Sequence, residues 1–119
     1  LLHHLGRALE AGGDSVGATA RYRAALAAQP GLYLARLHLG AALERAGDGR
    51  GAVLQYARAL QDAQAEGRWV DAASTPPALR PNVERAVLAV RRGRRAALAA
   101  TLEPLRVRHG SAELARVEK

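Results

Sequence analysis

The sequence predicts an all-α fold, in which two helical hairpins are followed by a loop and by C-terminal helices that cap them. Three observations carry that expectation. Ala, Leu and Arg dominate while only 3% of residues are aromatic, a vocabulary that favours packed helices over sheets. The first half repeats itself at an offset of 34 residues, and a period of that size marks stacked supersecondary units. Clusters of glycine and aspartate separate stretches of helical apolar period.

Taken in chain order, Leu2, Leu5 and Leu9 share one helical face, and Leu32, Leu39 and Leu43 share another with Ala42 and Ala46. Gly12-Gly13-Asp14-Ser15 and Gly47-Asp48-Gly49 read as the turns between paired helices. Helices are expected near residues 1–11, 15–28, 32–46 and 50–66. Aligned at the offset, His4, Leu5 and Gly6 meet His38, Leu39 and Gly40, and Ala8-Leu9-Glu10 meets Ala42-Leu43-Glu44. Gly13-Asp14 meets Gly47-Asp48, Gly17-Ala18 meets Gly51-Ala52, and Tyr22, Ala25 and Leu26 meet Tyr56, Ala59 and Leu60. Thirteen identities are more than shared composition supplies.

These residues resemble the tetratricopeptide repeat (TPR), a helical hairpin of the same period. Leu5-Gly6 and Leu39-Gly40 match its Leu-Gly pair, Ala18, Ala52, Ala25 and Ala59 its small positions, and Tyr22 and Tyr56 its aromatic position. Pro30 matches the terminal proline of the first unit, where Gln64 stands in the second, and Leu2 and Arg36 replace the large aromatic of the first helix. The resemblance implies a right-handed α-α superhelix over residues 1–66 that binds protein or peptide. Two such units do not bury their faces alone. They need the C-terminal half or another chain, so self-association is compatible with the pattern.

From Gly67 to Leu79 the pattern lapses into a loop, because Pro76-Pro77 does not propagate a helix. Trp69, the only tryptophan, is expected to cover the end of the stack, the alternative being a contact for a partner. Residues 80–119 read as capping helices. Pro81 suits a first turn; Val83, Ala86, Val87, Val90, Ala97, Leu98 and Thr101 then fall on one face of a helix over 80–102. Glu103-Pro104 is expected to open a second segment ending at His109, and Ser111 to cap a last helix to Lys119. Arg94 falls within the apolar stripe, so its guanidinium must snorkel, meet a partner or pair internally, with Glu44 or Glu84 as mates.

The stretch from Gly67-Arg68-Trp69 through Thr75-Pro76-Pro77, Arg94-Arg95-Ala96-Ala97-Leu98 and Leu102-Glu103-Pro104-Leu105-Arg106 to His109-Gly110 carries a second resemblance. It is similar to the region joining TPR units to the catalytic domain of bacterial aspartyl/asparaginyl β-hydroxylase-like proteins. That resemblance implies an Fe(II)- and 2-oxoglutarate-dependent dioxygenase domain downstream. A chain that begins at Leu1 and lacks Met also reads as part of a longer protein.

Composition narrows the function classes. The chain has no cysteine, which excludes a disulfide framework and cysteine-ligated zinc. It has no apolar run of membrane-spanning length and no signal-peptide pattern, which suits the cytoplasm. The net charge is +7, and only Lys119 among the basic residues is not arginine. Such a surface favours an acidic partner or nucleic acid. Arg91-Arg92-Gly93-Arg94-Arg95 lacks the interleaved aromatics on which bases stack, which argues against an RNA-binding repeat. His3, His4, His38 and His109 begin no His-x-Asp or His-x-Glu motif, and no P-loop or nucleophile elbow is present. The chain itself is therefore expected to be neither an enzyme nor a cofactor binder.

Binding remains. In the TPR family the first helix of each unit lines a concave groove. On that register His3, Arg7 and Glu10 in unit one, with Leu34, Leu37, His38, Ala41 and Arg45 in unit two, face the ligand. The family's clamp for a C-terminal carboxylate uses Lys and Asn where His3 and Arg7 stand. Arg7 and Arg45 suit an acidic peptide instead. The competing readings are a free-standing adaptor or oligomerisation module and, third, the RNA-binding repeat.

Overall fold

A computed structural model of the protein describes residues 2–109, with side chains described at 6–9 and 11–103. It contains α1 (Leu2–Ala11), α2 (Ser15–Ala28), α3 (Tyr33–Arg45), α4 (Gly49–Ala65), a 3₁₀ turn at Pro77–Leu79 and α5 (Arg80–His109), with no strand among the described residues. The fold is all-α, and the first four helices start and stop within one residue of the boundaries expected from periodicity.

The two hairpins are built alike, bond by bond. At the end of α1, Gly13 adopts φ +85° and the Asp14 N–H donates to the Leu9 carbonyl at 2.8 Å; at the end of α3, Gly47 adopts φ +88° and the Asp48 N–H donates to Leu43 at 2.9 Å. Each is a left-handed helix stop that glycine enters without steric penalty. Each aspartate then caps the next helix, accepting from the Gly17 N–H at 2.8 Å and the Gly51 N–H at 2.9 Å. One residue therefore ends one helix and starts the other, which fixes the angle of the hairpin.

Above the turns, each hairpin closes on a glycine and a tyrosine. The Tyr22 ring lies on the bare backbone of Gly6 and the Tyr56 ring on that of Gly40. A Cβ would stand 2.8 Å from Tyr22 Cε1 at the first and 2.6 Å from Tyr56 Cδ1 at the second. Both rings are buried, and Ala18, Ala52 and Ala59 are fully buried where the helices cross. Burying each ring contributes about 2–3 kcal/mol. Arg36, standing where the TPR resemblance leads one to expect an aromatic, stitches rather than fills. Its guanidinium donates to the Pro30 carbonyl and to Gln55 Oε1, both at 3.0 Å, tying α3 to α4 and to the preceding turn.

Helices pack on their neighbours in chain order, and α1 also touches α3 as α3 touches α5. The core therefore runs through the stack from Ala18 and Tyr22 to Val83, Ala86 and Val90 on α5. The loop that delivers α5 is held by its own polar groups. Ser74 Oγ accepts from the Val70 and Asp71 N–H groups at 3.0 and 3.1 Å, and Asp71 accepts from the Ser74 N–H at 2.9 Å. That last bond holds the Asp71 carboxyl below its usual range. Trp69 turns inward, 4% exposed, with its ring edge-on to Tyr33 at 5.0 Å. Its φ of +57° is unusual for a bulky residue, and Gln64 Nε2 donates to its carbonyl at 3.3 Å.

Two expectations for α5 need correction. The stripe does not stay buried: packing ends at Gly93, where a Cβ would stand 3.0 Å from Val53 Cγ1, and Ala97, Leu98 and Thr101 are exposed. The helix also continues through Pro104 to His109 instead of breaking. Proline deprives the Ala100 carbonyl of its amide partner, and Ala100 is exposed, where solvation offsets the lost bond. The helix expected between Ser111 and Lys119 lies outside the described residues.

Candidate protein-interaction surface

The residues expected to line a concave groove do not form an open one. Arg7 and Arg45 are exposed and Leu34 is half-buried, whereas Leu37, His38 and Ala41 are buried. The side chains of His3 and Glu10 lie outside the described residues. His38 stacks on Tyr22, with ring centroids 5.9 Å apart and planes at 21°. The first turns of α5 close over the rest: Pro81, Asn82 and Arg85 face Leu37, Ala41, Arg45 and Tyr56 across a cleft of only about 180 Å³. This corrects the assignment of Leu37, His38 and Ala41 as ligand-facing. The chain's own α5 lies against that face of the second unit.

Burial also governs the two tyrosines behind this face. The Tyr56 hydroxyl donates to the Glu44 carboxylate. Its pKa is pushed well up, first by burial and then by that bond and the carboxylate's charge. Burial pushes Tyr22 up to about 12, opposed by the Arg7 guanidinium.

The larger openings lie on the other side of α5. Between α4 and α5 runs a groove of about 570 Å³ with Ala57, Leu60, Val87 and Val90 in its lining, Gln61 and Gln64 along α4, and Arg91 and Arg94 along α5. On each helix these residues follow i, i+3, i+4, i+7 spacing, the mark of one continuous face. A second cleft of about 400 Å³, between the Trp69 loop and α5, shares Val87 and Arg91 with the first. Two of its lining residues are apolar and open to water, Val70 at 61% and Leu88 at 47% exposure.

Arg94 is thus part of a groove and not half of an internal pair. Glu44 is engaged by Tyr56, and Glu84 stands ten residues away on the same helix, about 15 Å along the axis. Trp69 serves as a core residue, packed on Tyr33 and lining both the second cleft and a smaller one by Leu34 and Leu79. Sequence reasoning missed the α4–α5 groove as a whole. Its one visible sign was a guanidinium inside an apolar stripe.

Among the described residues, no group of three His, Asp or Glu stands close enough to hold a metal ion, and no helix is long and apolar enough to cross a membrane. Fold and surface together define a stack of helices with a groove of mixed lining, an apolar floor between a row of glutamines and a row of arginines. Comparison with known families, with curated proteins and with solved structures returns no match for this chain.

Proposed function

We propose that this chain is a TPR-type protein-interaction domain, wound as a right-handed superhelix over α1–α4 and closed by α5. The observation that carries the reading is the hairpin built twice, with the same glycine stop, aspartate cap and glycine–tyrosine contact 34 residues apart. Repeating one hairpin yields an extended surface whose shape is kept by local contacts, and such surfaces suit the recognition of protein segments. Tyr33 and Trp69 are turned against each other within the stack, so those two rings offer no platform for bases, which favours protein over RNA.

In this proposal the domain is the non-catalytic N-terminal part of a larger, cytoplasmic, aspartyl/asparaginyl β-hydroxylase-like protein of bacterial type. Its role there is to present a protein substrate to the dioxygenase domain. The support is the run of residues from Gly67 to Gly110 that resembles the joining region of those proteins.

Site-specific photo-cross-linking in the cells of origin tests the interaction reading. A benzophenone amino acid at Leu34 or Leu88 is expected to capture protein partners. The same group at Val16, exposed on the first turn of α2, is expected to capture none. Adducts at no position, or equally at all three, would refute the proposal.

A further inference from the structure

We infer that the groove between α4 and α5 binds an acidic amphipathic helix of a partner protein, with its carboxylates on Arg91 and Arg94. The inference rests on the interaction reading above and adds the site and the chemistry of the partner.

Charge comes first. Four arginines occupy the five positions 91–95, and Arg91 and Arg94 are exposed on the groove's edge with no acidic residue in its lining. The flanking acids of α5, Glu84 and Glu103, lie seven residues before Arg91 and nine beyond Arg94, about 10 and 13 Å along the axis. Arginines one helical turn apart match carboxylates spaced three or four residues apart on a facing helix.

Shape comes second. The floor of the groove is apolar, with Ala57 and Val87 half-buried above the core residues Leu60 and Val90, and a third helix would seat its ridges between the two packed helices there. An extended peptide would need backbone hydrogen bonds along its length; beside the two guanidinium groups the groove offers only Gln61 and Gln64, and the Gln64 amide already donates to the Trp69 carbonyl. A helix satisfies its own backbone. From Val87 to Arg94 the groove runs about 10 Å, two turns of such a helix.

Two other occupants lack the charge. The chain's own residues 110–119 carry Glu113 and Glu118 against Arg116 and Lys119, a net of zero. A second copy's α5 brings the same arginine run and repels it.

Panning a displayed library of random 16-residue peptides against the full 119-residue chain tests the inference. Enriched peptides should carry apolar residues at helical spacing flanked by Asp or Glu. Their synthetic forms should bind Arg91→Glu/Arg94→Glu at least about tenfold more weakly. Arg21→Glu/Arg23→Glu, on exposed positions of α2, should leave affinity unchanged, and circular dichroism should show both variants folded. Enrichment of peptides without acids, equal binding by the groove variant, or no enrichment overturns the inference. So does a uridine oligonucleotide that binds through the same arginines while peptides do not. If photo-cross-links persist from Leu34 while the groove variant binds peptides normally, the interaction reading stands and this one falls.

Discussion

Replacing Gly40 with alanine adds one methyl group, and the structure says where it lands. The new Cβ would sit 2.6 Å from both Cδ1 and Cε1 of Tyr56 and 3.1 Å from Cγ, about 1 Å inside the optimal carbon–carbon separation. The ring has nowhere to go: it is 1% exposed, and its hydroxyl is held by Glu44. Overpacking of this kind costs about 1–3 kcal/mol, and two aromatic carbons at such range place it in the upper half. Alanine recovers about 0.5–1 kcal/mol of helix propensity. The net loss is about 1–2 kcal/mol, read as a lower urea midpoint with unchanged m-value. In a double-mutant cycle, Gly40→Ala should cost little once Tyr56→Leu has removed the ring, giving a coupling of about 1 kcal/mol or more. A Gly40→Ala protein as stable as the parent, or additive behaviour in the cycle, would refute the packing argument.

Other outcomes follow from the same contacts. Asp14→Ala and Asp48→Ala should each lose about 1 kcal/mol, because each removes one N-cap bond of equal length to within 0.1 Å; urea melts differing by much more than that between the two would contradict the equivalence of the hairpins. Trp69→Ala should cost about 3–5 kcal/mol, and the parent's tryptophan emission should be blue-shifted and move red on unfolding. Raising the pH should destabilise the fold. Tyr22 and Tyr56 have folded-state pKa values above the ordinary 10, so the unfolded chain releases its protons first. Their contribution is intact below pH 10 and drains away above it, through about 12 for Tyr22 and beyond for Tyr56. The slope should approach roughly 2.7 kcal/mol per pH unit for the two rings together, and Tyr22→Phe/Tyr56→Phe should flatten it.

Local chemistry was the readable part of the sequence. Gly13-Asp14 and Gly47-Asp48 specify a stop and a cap through bonds to residues no more than five positions away, so no tertiary knowledge was needed to place four helices. The offset of 34 marked Gly6 and Gly40, and Tyr22 and Tyr56, as equivalent positions, but that each ring lies on its glycine is a contact across two helices that the spacing alone does not state. What did not show was how the C-terminal half returns. The ligand-facing reading of Leu37, His38 and Ala41 treats α3 as a free surface; the Tyr22 ring of α2 lies on His38, and the tertiary course of α5 brings its first turns over Leu37 and Ala41. Helical periodicity likewise carries the apolar stripe of α5 past Arg94, although its packing against α4 ends at Gly93. Periodicity reports the face of a helix, not the length over which something covers that face. The α4–α5 groove belongs to two helices far apart in sequence, so each contributed an ordinary amphipathic pattern and neither announced a site.

Inserting a third unit tests the repeat account most directly. A copy of residues 32–61 followed by Ala28-Gln29-Pro30-Gly31, placed between Gly31 and Leu32, adds one whole period of 34 residues. Its first helix would meet α2 as α3 does, and its second would hand over to α3 through the existing turn. If the hairpins are modular units held by nearest-neighbour contacts, the longer chain should fold, gain helix in proportion and melt no lower than the parent. A lower melting temperature, or a lost cooperative transition, would contradict the claim that this protein is a stack of repeated hairpins.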